Sequence, residues 1–130
     1  GDAAPTDETG AWAVQRAVLA RRGGRIGGYK CATPASAPPS GALLDARGIA
    51  ASPAKWAVSH GDRIGIETEV AFRLARDLPP RGTSYTREEV LAAVGECFPA
   101  IEMVASRYAD LKAVTPMEAM ADNIAHDGLV

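Results

Sequence analysis

The sequence has few cysteines and no excess of either charge. Its two cysteines, Cys31 and Cys97, are not spaced as a C-x-x-C pair, so no zinc site is indicated and a reduced, cytoplasmic protein is the default expectation. Lys and Arg number 14 against 16 Asp and Glu, without a basic run. This balance argues against nucleic acid as a partner.

Long apolar runs are also absent. No stretch approaches the roughly 20 apolar residues that cross a bilayer, and the opening GDAAPTDETG lacks the features of a signal peptide. We find no internal repeat. With 130 residues, 47% of them hydrophobic, and a net charge of −2, the sequence predicts a single folded domain over residues 1–130 and no membrane partner.

The first third of the sequence predicts a helix, a strand and a loop. Thr6 is the expected N-cap of a helix over about 7–22, which ends before two glycines. A short strand ending at Lys30 follows. Residues 33–41 are rich in Pro, Ser and Ala and predict a loop, and short β segments are expected over residues 43–59.

The remainder predicts two principal strands and two capped helices. Alternating apolar residues predict a strand over about 63–76, and a second strand is expected over about 100–106. Thr86 and Glu89 form a capping-box pattern, and the helix they begin is expected to continue until Pro99 stops it. Thr115 is the expected N-cap of another short helix.

Three glutamates lie within these two apolar strands. Glu67 and Glu69 are two residues apart, so their side chains share one face of the strand, about 6.5–7 Å apart. Glu102 lies among apolar neighbours, where an isolated charge is costly to bury. A solvated acidic face is one explanation. The other is an all-oxygen site for a hard cation such as Mg²⁺ or Mn²⁺.

Four segments carry a resemblance to a known family. In order and spacing, GGRIGGYK, RIGIETEVAFRLARDLP, PAIEMVASR and ADN resemble the 2-keto-4-pentenoate hydratase branch of the fumarylacetoacetate hydrolase-like superfamily. The resemblance covers residues from about 12 to 130. It implies an α+β fold, a mixed β-roll or sandwich with flanking helices, of which the sequence spans the N-terminal half to two-thirds.

The resemblance also implies a set of site residues. The family's three metal-binding carboxylates fall on Glu67, Glu69 and Glu102, and Mg²⁺ or Mn²⁺ is the implied cofactor. The family's active-site lysine falls on Lys30, as a catalytic and substrate-binding residue. Two further substrate-binding candidates are Asp122 and Asn123, in the ADN segment.

The sequence departs from the family pattern at two places. The segment CATPASAPPSG is short, and Pro39 and Ser40 stand where an acidic residue is expected. Ala125 stands where many hydratases carry a serine. His126 follows it, and we consider it a candidate catalytic acid or base, the alternative being a loop or strand-edge histidine. The histidine at position 60 is expected in an exposed turn.

Three functions are therefore considered. The first is a metal-dependent hydratase (a lyase) that adds water to a 2-hydroxy-2,4-dienoate or related 2-oxo acid, in the breakdown of aromatic rings. The second is a decarboxylase of a 2-oxo diacid, which needs a cation for the far carboxylate, with Arg47, Arg73 and Arg107 as candidates. The third is a non-catalytic or partner-dependent subunit that retains the metal site. A homo-oligomer is expected in each case.

Overall fold

The computed structural model describes residues 4–32, 40–57 and 64–130. The expected loop over 33–39 and the histidine at position 60 lie outside these residues. The helices are α1 (Glu8–Arg21), α2 (Arg87–Ala93) and α3 (Pro116–Ala121). The strands are β1 (Ile26–Ala32), β2 (Ser40–Asp45), β3 (Gly65–Leu74), β4 (Val94–Val104) and β5 (His126–Leu129).

These strands form two small sheets. Strands β1 and β2 pair antiparallel, with Lys30 opposite Ala42. The second sheet has the order β3-β4-β5, in which β4 and β5 are antiparallel and Glu102 lies opposite Leu129. Together with the three helices they give the mixed α+β architecture that the sequence predicts.

Helix α1 begins one residue later than predicted. The side chain of Asp7, rather than that of Thr6, accepts a hydrogen bond from the Gly10 amide at 2.7 Å and so caps the first turn. Glu8 in the first turn and Arg21 in the last turn suit the helix dipole. The predicted span of about 7–22 is otherwise confirmed.

Two other sequence predictions need correction. The capping box of Thr86 and Glu89 is present, but α2 ends at Ala93 and not near Pro99, because Val94 already has extended backbone geometry. Strand β4 therefore begins at Val94, before the predicted start near residue 100. Over residues 43–57, where short β segments were expected, the structure has the end of β2, a 3₁₀ turn, Ala46–Gly48, and a single β-bridge between Ile49 and Leu129.

The chain divides into two compact units. The first, which we call the terminal unit, combines Gly1–Glu67 with Glu102–Val130; the second, the central unit, is Thr68–Ile101. The boundary crosses β3 and β4, which continue from one unit into the other. Compact units are not by themselves separate domains, so the single domain over residues 1–130 stays a prediction.

The core of the terminal unit is built around a buried polar side chain. Gln15 of α1 is 2% exposed, and its Nε2 donates to the carbonyl oxygens of Gly41 at 3.0 Å and Met120 at 2.6 Å. Its Oε1 accepts from the Leu43 amide at 2.8 Å. One side chain thus joins α1 to β2 and α3. The buried apolar residues of this unit are Ala11, Ala42, Leu43, Leu44, Met103 and Met120.

The central unit has a different surface. Apolar residues alternate along the part of β3 in this unit, as the sequence pattern predicts, yet Val70 is 66% exposed and Phe72 58% exposed. On the other face, Arg73 forms an ion pair with Glu96 and lies over the Phe98 ring. Arg81 likewise pairs with Glu89 at 2.5 Å and stacks on Tyr85. No helix in the described ranges is long and apolar enough to cross a membrane.

Candidate metal and active site

Glu102 is the most enclosed carboxylate of the candidate site. It lies near the end of β4, 1% exposed, and its Oε1 accepts hydrogen bonds from Lys30 Nζ at 2.7 Å and His126 Nδ1 at 2.9 Å. Two donors on one oxygen offset much of the cost of burying the charge. No described residue hydrogen-bonds to the other oxygen, Oε2, so that oxygen is available as a ligand.

Lys30 reaches Glu102 because of its position in β1. Side chains alternate across a strand, and Tyr29 is exposed while the Lys30 side chain is only 15% exposed. The neighbouring strand offers little obstruction, since Ala42 lies opposite Lys30. The predicted catalytic lysine is therefore part of a largely enclosed ion pair and not an ordinary surface lysine.

His126 is the first residue of β5 and is buried. An ionised carboxylate can only accept hydrogen bonds, so we assign a proton to Nδ1, which faces Glu102 Oε1. This fixes the tautomer of the neutral ring and leaves Nε2 as the atom able to exchange a proton. The alternative considered from the sequence was a loop or strand-edge histidine, and His126 does begin the edge strand β5, although its side chain is buried.

A left-handed turn precedes His126. Asn123, Ile124 and Ala125 all have positive φ, at 54°, 53° and 57°. Asparagine tolerates this region, whereas a β-branched isoleucine rarely adopts it. The Ala125 amide donates to the Asp122 carbonyl at 3.0 Å, and the Ala105 amide donates to the Ala125 carbonyl at 2.8 Å. Only Asn123 has a residue type that accommodates positive φ readily, and one asparagine without a glycine does not predict such a turn.

The two predicted substrate-binding residues of the ADN segment have structural partners. The Asp122 carboxylate accepts from Ser106 Oγ at 2.9 Å and forms an ion pair with Arg107. The Asn123 side-chain amide donates to the Leu43 carbonyl at 2.9 Å. These contacts anchor the turn to β2 and to the end of β4. A substrate-binding role for either residue stays a prediction.

Glu67 and Glu69 occupy alternate positions of β3, so their side chains leave the strand on one face. Glu67 is exposed and Glu69 is half-buried. Each offers a carboxylate oxygen, and these oxygens and one of Glu102 all lie within 4.8 Å of one another. Glu67 and Glu102 belong to the terminal unit, and Glu69 is two residues further along the same continuous strand.

The donor set suits a hard divalent cation. Three carboxylates provide the oxygen ligands that Mg²⁺, Mn²⁺ and Ca²⁺ prefer, with no sulfur among them. A cation would also reverse the mutual repulsion of three acidic side chains. One carboxylate oxygen of each predicted ligand therefore lies close to the other two, and cation binding by these residues stays a prediction.

The three arginines considered for a far carboxylate are already paired. Arg47 binds the Asp45 carboxylate and donates to the Arg22 carbonyl at 2.8 Å, and the Arg47 guanidinium holds the pKa of Asp45 below its usual value. Arg73 pairs with Glu96, and Arg107 pairs with Asp122. Arg47 and Arg107 also line an open groove of the terminal unit, together with Trp56 and His126.

Comparison with solved structures identifies the fold. One match is 4-oxalocrotonate decarboxylase from Pseudomonas putida G7 complexed with magnesium and adipate, with 21% identity and a TM-score of 0.71 over 95% of this chain and 50% of that chain. A second is the same decarboxylase complexed with calcium and acetate, with 22% identity and a TM-score of 0.68 over 95% of this chain and 49% of that chain. No family model and no curated protein matches the sequence.

The chain has the fold of about half of the 4-oxalocrotonate decarboxylase chain. This confirms the mixed α+β fold class and the partial coverage expected from the sequence resemblance. The chain spans about half the length of the solved structures it matches. At 21–22% identity the likeness establishes the fold alone.

Proposed function

We propose that this protein is a divalent-metal-dependent enzyme that acts on a small 2-oxo or 2-hydroxydienoic acid, and that its reaction is hydration. The observation that carries the proposal is the grouping of Glu67, Glu69 and Glu102, with Lys30 and His126 both held on Glu102. The likeness of fold to a decarboxylase solved with magnesium or calcium supports the choice of a divalent cation.

The three glutamates would hold the cation, which we expect to be Mg²⁺ or Mn²⁺. A bound cation of this kind supplies a Lewis acid for adjacent carboxylate and oxo oxygens of a substrate and stabilises an enolate. Glu102 contributes one free oxygen to this set while its other oxygen keeps two donors in place. The site therefore combines cation binding with two groups that can carry protons.

Hydration of 2-hydroxypenta-2,4-dienoate requires several proton movements. The hydroxyl group of water bonds to C4, protons are added at C3 and C5, and the enol O–H proton is lost. Lys30 Nζ is close enough to the carboxylate cluster to balance the charge of an anionic substrate or to transfer one of these protons. His126, through Nε2, is the second candidate for proton transfer.

Decarboxylation of a related 2-oxo diacid is the second candidate function. The observation that favours it is the fold, since the solved structures with this fold that we describe are decarboxylases. The pairing of Arg47, Arg73 and Arg107 with acidic side chains argues against it, because a far carboxylate would have to displace one of those partners. A non-catalytic or partner-dependent subunit is the third candidate.

One assay separates the three candidates. The chain is supplied with Mg²⁺ or Mn²⁺ and 2-hydroxypenta-2,4-dienoate, and loss of the ultraviolet absorbance of the diene is followed. A parallel reaction with the 2-oxo diacid is monitored for carbon dioxide. Cation binding is measured separately by calorimetry. Binding with no turnover of either substrate supports the third candidate, and absence of binding contradicts the proposal.

Substitutions test the assigned residues. We expect Glu67→Gln and Glu69→Gln to weaken cation binding at least tenfold, because each removes a charged ligand. Lys30→Met should keep cation binding and lower turnover by about 10²-fold or more, the usual range for a group that transfers a proton. Glu88→Gln, an exposed carboxylate of α2, is the matched control and should change neither quantity.

The other sequence predictions belong to this proposal. Assembly as a homo-oligomer and a role in the breakdown of aromatic compounds are implied by the family resemblance, and the cytoplasmic location is expected from the cysteine pattern. Size measurement in solution tests the assembly. Comparison of activity at several protein concentrations then tests whether the reaction depends on it.

A further inference from the structure

The strained turn before His126 is held at both ends by a single side chain. Three consecutive residues with positive φ are costly without glycine, and Ile124 is the least tolerant of them. Such a conformation persists only where surrounding contacts determine it. Arg107, which lies three residues beyond the end of β4, supplies most of the side-chain contacts here.

Arg107 contacts the residues on both sides of the turn. Its Nε and Nη2 donate to the carboxylate and the carbonyl oxygen of Asp122, the residue that precedes the turn. Its Nη1 donates to the His126 carbonyl at 3.0 Å and to the Ala105 carbonyl at 2.8 Å. The Arg107 backbone amide also donates to the Asp122 carboxylate at 3.2 Å. The guanidinium therefore bridges the start and the end of the left-handed segment.

These contacts fix the backbone from which the His126 ring extends. His126 pairs with Val104 at the start of β5, and its Nδ1 reaches Glu102 Oε1 at 2.9 Å. If the turn relaxed to right-handed geometry, the chain would leave Asp122 in another direction. The His126 ring would then lose its place beside Glu102.

We propose that Arg107 is a positioning residue that locks the left-handed turn and thereby holds the His126 ring against Glu102. The consequence for turnover rests on the function proposed above, but the placement of the ring does not. Lysine cannot replace Arg107, because a single ammonium group lacks the planar fork that reaches a carboxylate and several carbonyl oxygens together.

The test observes the histidine ring directly by NMR. The chain has two histidines, so ¹⁵N-histidine labelling gives two imidazole signals, and a His60→Gln variant assigns them. We expect one ring, that of His126, to show a single tautomer with a slowly exchanging Nδ1 proton. Both Arg107→Gln and Arg107→Lys should abolish that slow exchange. Arg16→Gln, on the exposed face of α1, is the control and should leave it unchanged.

A second substitution separates positioning from general loss of stability. Ile124→Gly removes the strain at the least tolerant of the three positions. We expect Ile124→Gly alone to keep the slow exchange, and the double variant of Arg107→Gln with Ile124→Gly to recover part of it. Two results would overturn the proposal. One is slow exchange of the Nδ1 proton that persists in Arg107→Gln. The other is a loss of slow exchange in the double variant that is as complete as in Arg107→Gln alone. If Arg107→Gln does not fold, the same comparison is made between Ile124→Gly and the double variant.

The activity measurement comes last. Where the proposed hydratase reaction is observed, we expect Arg107→Gln to lower kcat on the order of 10²-fold with little change in KM, because the ring is misplaced while substrate contacts remain. The dissociation constant of the cation should change by less than about twofold, because Arg107 is not one of the proposed ligands. If no reaction is found, the NMR comparison still decides the proposal about Arg107.

Discussion

The terminal unit buries hydrogen-bonded polar side chains, whereas the buried residues of the central unit are two alanines, Ala93 and Ala100, and its charged side chains pair at the surface. Gln15 and Glu102 are among the least exposed residues of the terminal unit. Val70 and Phe72 of the central unit expose more than half of their surface. The two units therefore depend on different interactions.

The difference indicates how each unit is stabilised. In the terminal unit a few buried polar groups join elements that are distant in sequence, so loss of one affects the whole unit. In the central unit, capping and surface ion pairs act locally and contribute little each. Its exposed apolar face on β3 is of the kind that marks an interaction surface. The predictions below test this contrast, from the largest expected effect to the smallest.

The largest effect is expected at Gln15. Gln15→Met keeps the volume but leaves three backbone groups, those of Gly41, Leu43 and Met120, without their partner. At about 1–3 kcal/mol for each stranded group, the free energy of unfolding should fall by about 3 kcal/mol or more. Urea unfolding followed by circular dichroism measures it. Arg16→Met, one residue along α1 and exposed, should change it by less than about 0.5 kcal/mol.

A matched pair of leucines compares the two units directly. Leu43 is 3% exposed and Leu74 of β3 is 46% exposed. Leu43→Ala should destabilise the protein by about 2–5 kcal/mol, because it leaves a cavity. Leu74→Ala should cost less than about 1 kcal/mol, because that side chain is largely hydrated already. Urea unfolding measures both changes. Equal decreases in the free energy of unfolding for the two variants would mean that the β3 face is covered in solution.

A smaller effect is expected at His126. His126→Phe removes one of the two donors to Glu102 Oε1, while Lys30 remains. Loss of a hydrogen bond to a charged acceptor should lower the free energy of unfolding by about 2 kcal/mol at neutral pH. His126→Gln retains a donor and should lose less. If both variants unfold at the same urea concentration as the parent chain, this hydrogen bond makes no contribution.

The smallest effect is a pH dependence in the central unit. The Arg81 guanidinium and the Thr86 amide lower the pKa of Glu89 from 4.5 to about 2. Because the folded pKa is depressed, the stabilising contribution of Glu89 is complete above pH 4.5 and is lost as the pH falls toward 2. Glu89→Gln should therefore lower the melting temperature slightly at pH 6 and not at pH 2. Glu88→Gln, the exposed neighbour, should show no such difference.

Much of the local structure could be predicted because its causes are local. The alternation in β3 and the capping box at Thr115 each involve residues a few positions apart. The hydrogen bonds of Gln15 could not be predicted, because its partners lie 26, 28 and 105 residues away. An isolated glutamine in a helical pattern carries no sign of such distant partners.

The candidate site was predictable in its residue types and not in its arrangement. Three glutamates in apolar strands left two explanations open, a solvated acidic face or a cation site. The structure brings one carboxylate oxygen of each within 4.8 Å of the others, and cation binding stays a prediction. Lys30 and His126 both hydrogen-bond to Glu102 Oε1, and this arrangement depends on strand register and on the turn before β5. That turn includes Ile124 and Ala125, whose types do not indicate positive φ, so the burial of His126 and the contacts of Arg107 could not be predicted.

The contact between Gly128 and the Trp56 ring has a consequence for sequence comparison. The indole packs so closely on Gly128 that a Cβ atom there would overlap it, and the Trp56 Nε1 donates to the neighbouring Asp127 at 3.2 Å. A larger residue at position 128 is tolerable only if position 56 shrinks. In related sequences the two positions should therefore covary, although 72 residues separate them, and such covariation would help to align distant relatives whose overall identity is too low for confident matching.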